Sequence, residues 1–143
     1  MKLIGFSVAN DNIAVVREAG YFDLHNNFDF RCFTYKPAER VLELAWQRGR
    51  GDWAKATDPG ELSLVFSGVS LLKVRERDPQ LPFTEDGCLD FLGFLWNDML
   101  EQMDGYTSHE PKDGCEHFIA RFTSAFSIKI GADSVTLHVA ARA

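Results

Sequence analysis

Long apolar runs are missing from this 143-residue chain. A membrane-crossing helix needs about eighteen or more consecutive apolar residues, and nothing here approaches that. The amino-terminal run Met1-Lys2-Leu3-Ile4-Gly5-Phe6-Ser7-Val8 is cut by Gly5 and reads as too short for a secretory leader. Cysteine is scarce: Cys32, Cys88 and Cys115 are odd in number and far apart. A disulfide framework is therefore not expected, and reduced thiols in a cytoplasmic protein are. Bases are nearly absent between residues 78 and 116, where ten acids face Lys112 alone for a net charge of −9. Residues 1–60, by contrast, hold eight acids and eight bases. A nucleic-acid binder needs a basic footprint, so that class is excluded. Catalytic signatures are also missing: there is no Gly-x-Ser-x-Gly, no glycine-rich phosphate loop with Lys and no His-Glu-x-x-His. No cofactor is implied.

Alternating strands fill the chain instead. Phe28-Asp29-Phe30-Arg31-Cys32 alternates, and so does Arg40 to Gln47, with Leu42, Leu44 and Trp46 on one face. Lys36-Pro37-Ala38-Glu39 between them reads as the turn of a β-hairpin. Phe28, Phe30 and Cys32 are expected to face the core, with Phe33 and Tyr35 on the outer face. Strands are also expected over residues 2–8, 61–66 and 69–75, with a bulge or corner at Ser67-Gly68. Residues 117–123, 125–130 and 134–140 read as a closing meander. A short helix is expected over 12–19 and a loop over 48–60. Residues 88–103 are ambiguous, but Leu89, Leu92, Trp96, Met99, Leu100 and Met103 fit one helical stripe opposite Asp90, Asn97, Asp98 and Glu101. The expected fold is a single α+β domain over 1–143. It has seven or eight mainly antiparallel strands, and the one main helix, near 88–103, covers Phe33 and Tyr35.

Candidate chemistry is thin. Cys115, Glu116 and His117, with Asp113 and His109 nearby, form the densest set of possible metal ligands. A structural zinc site wants four N or S ligands in spaced pairs, and no second pair exists, so no metal site is expected. The surrounding acids would also disfavour a Cys115 thiolate.

The order of elements resembles the Immunity protein 50 family of small bacterial proteins. The resemblance rests on Phe22, Leu24, His25 and Asn26, the strand from Phe28, Leu42 and Leu44 in the next strand, and Leu64, Phe66 and Val69. It implies a sheet-based, non-catalytic binding protein and carries no functional residue across. Independently, the acid-rich stretch suits a basic protein partner, met through Asp90, Asp98, Glu101 and Asp104. The alternative is a small-molecule-binding module or enzyme with a pocket between sheet and helix, lined by His25, Trp46 and Trp96.

Overall fold

The structure, a computed structural model, describes residues 1–51, 53–55 and 57–140. Period-two alternation places successive side chains on opposite faces of an extended chain, and most such runs here are strands. In chain order they are β1 (Lys2–Ile4), β2 (Ser7–Val8), β3 (Ala14–Arg17), β4 (Gly20–Asp23), β5 (Phe28–Lys36), β6 (Val41–Arg48), β7 (Glu61–Ser67), β8 (Leu71–Arg75), β9 (Leu89–Leu95), β10 (His117–Phe122), β11 (Ser127–Gly131) and β12 (Ser134–Ala140). A single 3-10 turn, Phe83–Gly87, lies between β8 and β9. The strands form a five-stranded sheet in the order β1-β12-β7-β6-β5, a four-stranded sheet β8-β11-β10-β9 and a small sheet β2-β3-β4. Among the described residues only β1 and β12 pair in parallel.

The two larger sheets stack face to face. Leu42, Leu44 and Trp46 of β6, Leu62, Leu64 and Phe66 of β7, and Val135 and Leu137 of β12 meet an opposing layer. That layer comprises Leu89, Leu92 and Phe94 of β9, Phe118, Ala120 and Phe122 of β10, and Ile128 and Ile130 of β11. Phe66 lies 5.0 Å from Phe118 and Phe30 lies 4.4 Å from Phe122, ring centre to ring centre. Burying each large side chain contributes about 1.5–3 kcal/mol. The chain passes between the two larger sheets at two corners. Gly68, with φ of +70°, sits at the turn from β7 to β8. Ala132 and Asp133 carry it from β11 to β12, so the expected closing meander is split between two sheets.

The expected α+β class is wrong: the fold is mostly β, and no helix of seven or more residues occurs among the described residues. None of them forms a helix long and apolar enough to cross a membrane. Residues 12–19 hold β3, and residues 88–103 hold β9 followed by a loop. The first step of the helical stripe was produced by a β-bulge, and its remaining members, Trp96, Met99, Leu100 and Met103, lie in the loop beyond β9. Phe122 pairs with Leu89 while Arg121 pairs with Phe91, which leaves Asp90 as an extra residue. Leu89 and Leu92, three apart, therefore share a face without any helix.

A second bulge, at Arg31, does the same in β5. Phe30 pairs with Trp46, but Cys32 pairs with Ala45, and from there the phase is reversed. Phe33 and Tyr35 stand opposite Leu44 and Leu42 on the inner face, and Cys32 is exposed. Both the expected core position of Cys32 and the outer position of Phe33 and Tyr35 are thereby corrected.

Candidate functional site

The four acids proposed to meet a partner are not brought together. Asp90 is the bulged residue at the start of β9, whereas Asp98, Glu101 and Asp104 follow its far end. The 96–114 segment folds back over the outer face of the four-stranded sheet and is held there by that sheet's own cations. Lys129 of β11 is fully buried, and its ammonium donates to the carbonyl oxygens of Met99, Leu100 (3.3 Å) and Gln102 (3.2 Å). Lys73 of β8 donates to the Leu100 carbonyl at 2.9 Å and to Glu101 at 3.1 Å. Arg75 lies 3.7 Å from Asp104, and Arg77 holds Asp86 through Nε at 2.9 and 3.1 Å. Asp86, Glu101 and Asp104 of the acid-rich stretch are thus counter-charges to Lys73 and Arg75 of β8 and to Arg77 just beyond it. Asp98 is exposed, with Trp96, Met99 and Leu100 exposed beside it.

Gly93 lets this segment lie close. A Cβ there would come within 2.9 Å of both the Asn12 amide and Tyr106 Cβ, and within 3.0 Å of the Ser108 carbonyl. Tyr106 in turn packs edge-on against Phe91, with ring centres 5.2 Å apart.

His25, Trp46 and Trp96 do not share a pocket. Trp46 is 1% exposed, in the core with its ring centre 5.2 Å from Phe30. Trp96 is on the surface beside Gly114. His25 sits on a turn organised by Asp23, whose carboxylate accepts from the His25 and Asn26 amides at 3.0 and 2.8 Å. Its Nδ1 meets the Leu89 carbonyl, and Cys88 Sγ lies 3.7 Å from the same nitrogen. A carbonyl only accepts, so Nδ1 carries the proton and is not a base for the thiol. Burial, with Glu85, Asp90 and Asp29 adding to it, pushes the Cys88 thiol pKa up against a lowering hydrogen bond from Thr123. The pair is structural, not nucleophilic. Cys115 is buried in the tight Lys112–Cys115 turn, and burial raises its pKa too. Among the described residues no group of three or more His, Cys, Asp or Glu is placed to hold a metal.

What sequence reading missed is a groove at one open seam of the sandwich. β5 ends one large sheet and β8 ends the other. Among the described residues neither strand bonds a further strand along its outer edge. Between these edges is a groove of about 750 Å³, larger than the polar clefts at the Gly49 loop and at Asn97. Phe30 and Phe33 of β5, Val74 of β8, Phe83 of the 3-10 turn and Phe126 line it, with Arg31, Glu76 and Arg77 at its rim. Phe33 stacks on Phe126 at 6.2 Å, and Phe126 meets Phe122 of the core at 5.8 Å. The groove is therefore an outward continuation of the aromatic core. Its walls stay wet: Phe33 is 37%, Val74 48% and Phe83 79% exposed. Arg77 is fixed, with its guanidinium 4.4 Å from the Phe83 ring centre and Nη2 donating to the Leu81 carbonyl at 2.8 Å. Arg31 and Lys36 are exposed and make no ion pair among the described residues. Sequence signals for this site existed: the three-residue step from Phe30 to Phe33, and Phe83 stranded after Pro82 in a polar loop. No family model, curated protein or solved structure matches the chain.

Proposed function

We propose that this chain is a binding domain and that the aromatic groove between β5 and β8 is its binding site. One observation carries the reading: inner-face side chains that a closed sandwich would bury are left exposed around a cavity of ligand size. Pockets for organic ligands span roughly 300–1,000 Å³ and are mostly apolar with a few polar groups at fixed positions, and this groove fits that description. Phe33 and Phe126 form a stacked wall backed by the core, so it is pre-organised. Phe83, carried on a short 3-10 turn, closes on an occupant from the other side, while Arg31 supplies a cation at the mouth. The reading needs no chemical step. It is tested by titrating anilinonaphthalene sulfonate, a fluorescent apolar anion, into the native protein. A saturable signal of one site per chain, lost in a Phe33→Ser/Val74→Ser double variant that stays folded, is expected. An unchanged signal in that variant refutes the assignment.

A second reading is favoured by Trp96, Met99 and Leu100, which are exposed beside Asp98 and the outward-facing Glu101. An apolar centre within an acidic rim suits a basic protein partner. Such binding weakens steeply with added salt and falls when Asp98 is changed to Asn; salt-independent binding rules it out.

A further inference from the structure

The edge of β5 gives the groove a more specific occupant than its walls alone do. Downstream of the Arg31 bulge, Cys32 to Lys36 pair in unbroken register with Ala45 to Val41 of β6. The far side of this five-residue segment is thus a regular strand edge, and no further strand covers it among the described residues. Alternate N–H and C=O groups on such an edge point outward, ready for another chain. Phe33 projects from the segment into the groove, opposite Val74 on the other unpaired edge. Arg31 and Lys36, neither ion-paired among the described residues, bracket it. The acids nearest this segment are Asp29 beyond the bulge, Glu39 in the turn to β6 and Glu43 opposite Thr34 on β6, while Glu76 and Asp86 line the groove and Asp86 is held by Arg77.

We propose that an extended, acid-flanked segment of a partner protein adds to β5 as a sixth strand over Cys32 to Lys36. Its alternate apolar side chains enter the groove beside Phe33 and Val74, and its flanking carboxylates meet Arg31 and Lys36. Main-chain hydrogen bonds supply the affinity and the groove selects the side chains. The proposal rests on the groove being the binding site. A small apolar molecule would fill the groove but leave the strand edge unpaired. A second copy is disfavoured, because antiparallel pairing of two such segments sets Arg31 and Lys36 against their counterparts.

The test pans a displayed library of random eight-residue peptides on the native protein. The selected peptide is then titrated against wild type, Arg31→Glu/Lys36→Glu and Phe33→Ser, with hydrogen exchange read at residues 32–36 and light scattering for mass. The proposal expects alternating apolar positions with flanking acids, slowed exchange at those amides, and at least about tenfold weaker binding in both variants. Peptides that lack alternation, or that bind both variants as well as wild type, overturn it. So does a dimer whose 32–36 amides are already protected. If no peptide is enriched while anilinonaphthalene sulfonate still binds in a Phe33-dependent way, strand addition falls and the groove remains; if neither binds, both fall.

Discussion

Replacing Lys129 with Met separates the two roles open to the acid-rich segment. The side chain is fully buried, and its ammonium is shared among the Met99, Leu100 and Gln102 carbonyls. Methionine fills a similar volume, so little cavity cost arises; what is lost is the donor. The Leu100 carbonyl keeps Lys73 at 2.9 Å and the Met99 carbonyl keeps the Gln102 amide at 3.2 Å, which leaves the Gln102 carbonyl without its partner. Each buried acceptor left unsatisfied costs about 1–3 kcal/mol. With one acceptor orphaned, a loss of about 1–3 kcal/mol is expected. For a chain of this size that corresponds to a midpoint drop of about 3–10 °C. Urea unfolding measures the loss. Native-state hydrogen exchange locates it: amides in 96–104 should speed up more than those of β6 or β7. A loss below about 1 kcal/mol with unchanged exchange in 96–104 would refute the idea that this lysine holds the segment. Lys73→Met provides the comparison, since its exposed pair with Glu101 is worth less than about 1 kcal/mol.

Gly93→Ala pushes a methyl group against Asn12, Tyr106 and Ser108; urea unfolding should show a loss of about 1–3 kcal/mol. Deleting Arg31 leaves Phe28, Phe30, Phe33 and Tyr35 at strict period two, all facing inward. The deletion should fold with stability within about 1 kcal/mol of wild type and an unchanged near-ultraviolet spectrum, and an unfolded or aggregated product contradicts the bulge assignment. Burial, with a smaller contribution from Lys129, holds the His117 pKa below its usual 6.5, and its Nδ1 lacks a partner among the described residues. The unfolded chain then binds that proton more readily, so the stability from keeping His117 neutral is present above pH 6.5 and lost as pH falls towards the folded value. His117→Asn should flatten the fall in urea midpoint between about pH 7.5 and about pH 5.5, and a fall as steep as wild type's counts against it.

The hairpin of β5 and β6 is legible in the sequence because alternation and a Pro-bearing turn report directly on a pleated pair. β7 and the inward faces of β11 and β12 are legible for the same reason. Two of the errors, at residues 88–103 and on the face of β5, share one physical origin. A single bulged residue converts period two into a step of three, so Leu89 and Leu92 imitate a helix and Phe30 and Phe33 imitate opposite faces. Sheet membership is invisible too: β11 and β12 are separated by only two residues yet belong to different sheets, because pairing is decided by distant strands. The acid-rich stretch misled for another reason. Net charge along the chain does not register Lys73, Arg75 and Lys129, which lie outside the stretch in sequence and directly beneath it in space. The groove was hidden because it depends on which two edges remain unpaired, a property of the finished topology.

The groove assignment is tested most directly by mapping amide shifts in a two-dimensional nitrogen–proton spectrum as anilinonaphthalene sulfonate is added to saturation. The predicted result is a set of shifts centred on Phe30, Phe33, Val74, Phe83 and Phe126, with the 96–114 segment unmoved. Shifts centred on Trp96, Met99 and Leu100, or spread over the surface without saturating, would contradict it.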